Sequence, residues 1–133
     1  MGERRIPQDA AVGMTVGEVM IARPKTLPAD AVIAEVRRVF ENPSMRTVLL
    51  ADGEVFRGAI ERDLVPDEAP AGDAAARYAH TEPVTVTAAM PIPEAIKLLE
   101  SCDEPRLIVL DEDGVTLRGL LCFHRGTSGF CVR

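Results

Sequence analysis

Aromatic side chains are scarce in this chain. Tryptophan is absent, tyrosine occurs once (Tyr78), and aromatics make up 4 % of 133 residues. A stacking platform for single-stranded nucleic acid needs successive aromatic rings, so the composition argues against one. Positive charge is also in deficit, with 15 Lys and Arg against 21 Asp and Glu, a net charge of −6. That balance disfavours broad binding to nucleic acid or to an anionic membrane, while leaving room for a local basic pocket. No apolar run approaches the roughly 18 residues that cross a bilayer, and the opening MGERRIP lacks a signal-peptide core. The sequence therefore reads as a cytoplasmic protein without a membrane segment.

Cysteine is limited to Cys102, Cys122 and Cys131, an odd number at no regular disulfide spacing. Reduced thiols in a reducing compartment are the expectation. Cys122, His124 and Cys131 are near one another in sequence, but three candidate ligands fall short of a zinc site unless His80 joins them from far away. No metal is expected. With His80 and His124 as its two histidines, the chain offers no glycine-framed nucleophile, and neither a P-loop nor a dinucleotide fingerprint occurs. The acidic pair Glu61 and Asp63 reads as polar punctuation at a strand end rather than as an acid–base couple. An enzyme is not expected.

What the chain does contain is a repeat. Residues 16–27 read VGEVMIARPKTL and residues 75–86 read AARYAHTEPVTV, with Thr26 and Thr85 offset by 59 positions. The offset grows to 61 between Gly58 and Gly119, because the second turn is two residues longer. A period of this kind signals two supersecondary units, neither of which buries a hydrophobic face alone. Residues 1–14 show no periodicity and read as an arm. Thr15 to Glu18 is a capping box opening a short helix. Pro24 and Pro28 bracket a short strand. Asp30 is placed to cap a helix with Val32, Ile33, Val36, Val39 and Phe40 on one face. Strands at 47–51 and 55–60 meet at Asp52-Gly53, a hairpin signal. A turn starts at 61–64, and Asp73 is placed to cap an alanine-rich helix through Ala79. The second copy repeats the order with Thr85-Val86, a helix at 93–101, and strands at 106–110 and 115–123. The glycine-rich end, 126–133, is too short for the last helix.

Pro-x-Thr-apolar at the head of each copy, and an Asp-Gly hairpin closing on Gly-apolar-apolar, resemble the CBS domain over residues 15–125. The resemblance implies an α/β (α+β) tandem CBS pair: two β-α-β-β-α units whose three-stranded sheets pack by pseudo-twofold symmetry. Residues 15–72 are the first repeat and 73–133 the second, its last helix truncated. The resemblance also implies a homodimeric regulatory sensor, acting on another protein, that binds an adenine-containing ligand (AMP, ATP or S-adenosylmethionine) in a cleft and requires no cofactor. The alternative is a dimerisation or protein-interaction module whose sites hold nothing.

Strands ending in Ile60 and Leu121 run into polar residues: Glu61, Arg62 and Asp63 in one copy, Cys122, His124 and Arg125 in the other. Backbone N–H groups at such ends suit a phosphate, as does the planar fork of Arg62 or Arg125. Lys25 and Thr26, with Val84 and Thr85, flank these ends from the short first strands, and Arg23 adds charge. Nucleotide-binding CBS pairs tend to read Gly-apolar-apolar-Ser/Thr-x-x-Asp here. In this chain Glu61 replaces the hydroxyl, Asp63 arrives one place early, and Arg125 stands where the second carboxylate belongs. At most one conventional site is expected, nearer Asp63, whose carboxylate suits ribose hydroxyls.

Overall fold

The computed structural model describes residues 4–22, 24–43, 45–80, 83–101, 106–124 and 129–132. In chain order its elements are β1 (Arg4–Pro7), α1 (Gln8–Ala11), α2 (Val16–Val19), β2 (Thr26–Pro28), α3 (Ile33–Phe40), β3 (Thr47–Asp52), β4 (Val55–Glu61), β5 (Thr85–Val86), α4 (Ile92–Glu100), β6 (Arg106–Leu110), β7 (Leu117–His124) and β8 (Gly129–Val132). Short 3-10 turns occupy Arg62–Leu64 and Ala75–Tyr78. The chain divides into two compact units, Lys25–Pro83 on the one hand and Met1–Pro24 with Val84–Arg133 on the other.

In the unit Lys25–Pro83, β2 runs parallel to β3 and β3 antiparallel to β4. Alternation sends Leu50 and Ile60 to the face covered by α3, where they form a core with Ile33, Val36, Ala69 and Ala75. Asp52-Gly53 makes the expected hairpin, with Gly53 at a φ of 60° that only glycine adopts without strain. The expected cap of α3 is corrected: its N-cap is Val32, not Asp30. The Ile33 and Ala34 N–H groups donate to the carbonyls of Asp73 and Ala71, at 2.9 and 3.0 Å. A neighbouring backbone thus does what a side chain was expected to do. Asp73 is likewise not a cap; its carboxylate accepts the Tyr78 hydroxyl at 2.7 Å, which holds the Tyr78 pKa above its ordinary value. Ala75, Ala76, Arg77 and Tyr78 form a 3-10 turn rather than the expected α-helix. Arg37 fixes the loop below α3 by donating to the carbonyls of Pro66, Asp67 and Ala69.

In the other unit, β5, β6 and β7 repeat this arrangement, and the register repeats residue for residue. Thr47–Glu61, Val48–Ile60, Leu49–Ala59 and Leu50–Gly58 in β3–β4 correspond to Arg106–Cys122, Leu107–Leu121, Ile108–Leu120 and Val109–Gly119 in β6–β7. Both ladders slip at the next step, after Leu50 and after Val109. Ile92, Ala95 and Leu99 of α4 cover Leu107, Val109 and Leu121. The longer second turn shortens the expected strand: Asp113 accepts from the Val115 and Thr116 N–H groups, so β7 begins at Leu117. Arg57 pairs with Asp52 across the first hairpin and Arg118 with Asp111 across the second.

Two further strands extend this second sheet, giving the order β1-β8-β7-β6-β5. The expected arm contributes β1 and α1, and the glycine-rich end contributes β8, which pairs with both β1 and β7. Phe130 of β8 is fully buried and meets Phe123 edge-on at 5.0 Å. Neither terminal segment is long enough to show a periodicity, and each finds its hydrogen bonds on the other.

Four isolated bridges show an exchange. Thr15 pairs with Pro91 and Ile21 with Leu120, while Ala74 pairs with Val32 and His80 with Ala59. These are equivalent positions in the two copies. The head of each repeat is laid along the helix start and third strand of the other repeat. Compactness therefore follows the exchange and not the order of the repeats along the chain.

Candidate functional site

The expected site residues fall at the end of each sheet where the first two strands begin and the third stops. In the unit Lys25–Pro83 this end carries Lys25 and Thr26, both exposed, beside β3, and Glu61 on its far side. The Lys25 carbonyl accepts the Leu49 N–H at 3.3 Å. Ile60 is fully buried in the core under α3, so only its backbone is available to a ligand. Glu61 and Thr47 are register partners on the face opposite α3. The Thr47 hydroxyl lies 2.9 Å from each Glu61 carboxylate oxygen. The hydroxyl that Gly58-Ala59-Ile60-Glu61 lacks in sequence is thus supplied from the adjacent strand. Thr47, a buried polar side chain at 6 % exposure, escaped the sequence reading because only the strand register places it there.

Arg62 is held by its own chain. Its Nε and Nη2 donate to the Met45 carbonyl at 3.1 and 2.7 Å, and Nη2 also donates to the Asn42 carbonyl at 2.8 Å. The guanidinium lies 4.9 Å from the centre of the Phe40 ring. These contacts close the segment that follows α3, where C-terminal carbonyls and the helix dipole both favour a cation. Asp63, by contrast, is exposed in the 3-10 turn that follows. Its carboxylate is presented at the surface two residues beyond Glu61.

In the other unit the equivalent end has different chemistry. Val84 and Thr85 are exposed at the start of β5, and the Val84 carbonyl accepts the Ile108 N–H at 3.4 Å. Leu121 is fully buried, like Ile60. Where the first copy sets Thr47 against Glu61, the second sets Arg106 against Cys122, both half-buried. Once the register identifies Thr47, the repeat offset of 59 marks Arg106 as its counterpart. The backbone of His124 ends β7 opposite Gly129. Arg23, Arg125 and Cys102 lie outside the described residues. One strand-end pair is thus a hydroxyl with a carboxylate, the other a guanidinium with a thiol. The sign of charge is reversed between copies that otherwise share backbone geometry. Among the described residues no helix is long and apolar enough to cross a membrane, and no cluster of His, Cys, Asp and Glu could hold a metal.

The model of the CBS domain family matches residues 71–124. No curated protein matches the sequence. Among solved structures, the CBS-pair protein CBSX2 from Arabidopsis thaliana aligns with a TM-score of 0.72 at 20 % identity, covering 87 % of this chain and 92 % of that one. A CBS domain protein from Pyrobaculum aerophilum, complexed with AMP, aligns at 0.70 and 20 % identity, over 86 % and 95 %. The cytosolic domain of the magnesium channel MgtE in complex with ATP aligns at 0.69 and 20 % identity, over 80 % of this chain and 44 % of that one. The matched segment begins just before the head, Ala74 to His80, that packs in the unit of the first repeat. Residues 71–124 are thus a CBS domain, and the chain has the fold of a tandem CBS pair.

Proposed function

We propose that this protein is a regulatory module that binds an adenine nucleotide at the strand ends carrying Lys25, Thr26 and Asp63. The observation that carries the reading is the pairing of this fold with an exposed carboxylate at Asp63, two residues past the end of β4. Solved structures of the same fold include complexes with AMP and with ATP. In the proposed arrangement Asp63 accepts from the ribose hydroxyls and Lys25 faces the phosphate. Thr47 and the N–H groups at the end of β4 complete the polar surface. A ligand there regulates only by preferring one conformation of the module or its assembly over another. AMP, ATP and S-adenosylmethionine are the candidates, and no catalytic step is assigned.

A ligand of the folded state raises the melting temperature. Saturating AMP or ATP is expected to raise it by several degrees, and Asp63→Ala to weaken that response about tenfold without moving the ligand-free value. An exposed carboxylate contributes little to stability, whereas a hydrogen bond to a charged group is worth about 1.5–3 kcal/mol. No shift with AMP, ATP or S-adenosylmethionine would overturn the reading. A second reading, an interaction module with no small ligand, draws on Glu61 and Arg62, whose polar atoms are engaged by Thr47, Asn42 and Met45 of the same chain. Under both readings the module is a homodimer. Light scattering at micromolar concentration is expected to give twice the 14.4 kDa of one chain; a monomer mass would remove the claim.

A further inference from the structure

Helix α4 ends beside a cavity of about 270 Å³, just under the roughly 300–1,000 Å³ usual for small-molecule sites. Among the described residues its lining is Gln8 of α1, Ile96, Leu99 and Glu100 of α4, and Phe123 of β7. The first repeat shows what occupies the equivalent positions. Along the helices the repeat offset is 59, so Ile96, Leu99 and Glu100 answer to Arg37, Phe40 and Glu41. At the strand ends the offset is 61, so Phe123 answers to Arg62. The exchanged heads keep the offset of 59: the Ile92 N–H donates to the Met14 carbonyl as the Ile33 N–H donates to that of Asp73. By that offset Gln8 answers to Asp67. In the unit Lys25–Pro83 these positions hold two guanidiniums bonded to carbonyls of the same chain. Arg37 donates to Pro66, Asp67 and Ala69. Arg62, 4.9 Å from the centre of the Phe40 ring, donates to Asn42 and Met45. In the other unit both arginines give way to apolar residues, Ile96 and Phe123, while the acid is kept as Glu100. The second copy has lost both cations and retains the carboxylate. Lys97, the basic residue of the last turn of α4, is exposed and stands outside the lining.

We propose that this cavity binds a small organic cation: an amidinium, guanidinium or ammonium group on an apolar body. The body lies against Ile96, Leu99 and Phe123, and the charge is directed to Glu100 with the Gln8 carboxamide beside it. The ligand restores from outside the cation that the first repeat carries in its own sequence. Three physical effects favour it. The carbonyl end of a helix attracts positive charge, and α4 ends at Glu100. An aromatic ring attracts a cation, as Phe40 does Arg62, and here Phe123 supplies the ring. The net charge of −6 raises the local concentration of cations at the surface. Glu100 and the same helix end disfavour an anion, a nucleotide phosphate included. The site is therefore independent of the nucleotide reading, whose residues Lys25, Thr26 and Asp63 belong to the other unit.

Benzamidine, a flat aromatic cation, serves as the probe, and benzamide, its neutral counterpart of nearly the same shape, as the control. Each is titrated into the full-length chain with its isoleucine and leucine methyl groups labelled for NMR. Benzamidine is expected to bind with a roughly millimolar dissociation constant, as its few atoms allow. The Ile96 and Leu99 methyls are expected to shift, while those of Ile33, Leu50 and Ile60 in the other core stay in place. Benzamide is expected to bind about fivefold more weakly, and Glu100→Gln to weaken benzamidine by about the same factor while leaving benzamide unchanged. Ile96→Arg, which returns the side chain of the first repeat, is expected to abolish the response by placing the chain's own cation in the cavity. Glu100 is exposed, so its variant secures the test should Ile96→Arg fail to fold. Any of four results would overturn the site: no methyl shift with benzamidine, shifts confined to the other core, equal binding of benzamide, or an affinity that Glu100→Gln leaves as it was.

Discussion

Replacing Phe130 by alanine is expected to destabilise the protein by about 3–5 kcal/mol. The residue lies three positions before the last residue of the sequence, in the glycine-rich stretch that reads as too short for a helix. In the structure its ring is fully buried, in one cluster with Leu107, Leu121, Leu99 and Ala11, and it meets the Phe123 ring at 5.0 Å. Truncation removes the transfer free energy of the ring, leaves a cavity that β8 alone is too short to close, and deletes an aromatic pair worth a further 0.5–1.5 kcal/mol or so. Denaturant unfolding checks this, with Val115→Ala as the control. Val115 is 49 % exposed in the second turn, and its truncation is expected to stay within about 0.5 kcal/mol. A Phe130→Ala midpoint close to that of the control would mean that β8 is no part of the core.

The second large effect is expected at Gly119. A β-carbon there would lie 2.6 Å from the Ile21 carbonyl oxygen and 2.7 Å from the Met20 sulfur. The sulfur is at the end of a flexible side chain and can move. The carbonyl cannot, because Ile21 and Leu120 exchange two backbone hydrogen bonds at 2.8 and 3.0 Å, and those bonds hold the chain against β7. Gly119→Ala is therefore expected to force the head of the first repeat off this strand, at about 2–3 kcal/mol, or roughly 10 °C in melting temperature. Gly58 is its counterpart, and there a β-carbon would meet only the methyl of Ala79 at 3.0 Å and the His80 carbonyl at 3.6 Å. Gly58→Ala is expected to cost clearly less. Equal effects at the two glycines would show that the close approach to Ile21 is not what makes Gly119 necessary.

Much of the fold was legible because the repeat constrains it twice. Thr26 and Thr85, at the same offset as Leu49 and Ile108, pair in the same way in both sheets. The Asp-Gly turns and the capping box, in which the Thr15 N–H donates to the Glu18 carboxylate, are local signals and lie where sequence puts them. What sequence missed was settled at long range. The start of α3 is satisfied by carbonyls of residues 71 and 73, about forty positions away, so Asp30 has no cap to provide. Strands β1 and β8 make their ladder only with one another and with β7, and short segments carry no periodic pattern before they pair. At the site, the exposed positions Lys25, Thr26, Asp63, Val84 and Thr85 could be named from the motif. The partners Thr47 and Arg106 could not be named until the register was known. The role of Arg62 depended on where the carbonyls after α3 come to rest, which no motif records.

The exchange of heads between the repeats has a consequence for how the chain can be divided. A cut at the border of the repeats, near residue 72, would give two pieces, each carrying the plug that the other needs. The first would keep Thr15 to Ile21 but lack a cover for β4, and the second would keep Ala74 to His80 but leave β7 bare. Neither piece is a domain in the physical sense, although each is a complete copy of the repeated pattern. Two such pieces mixed together could restore the contacts only by finding one another, whereas the linked chain has both plugs always at hand.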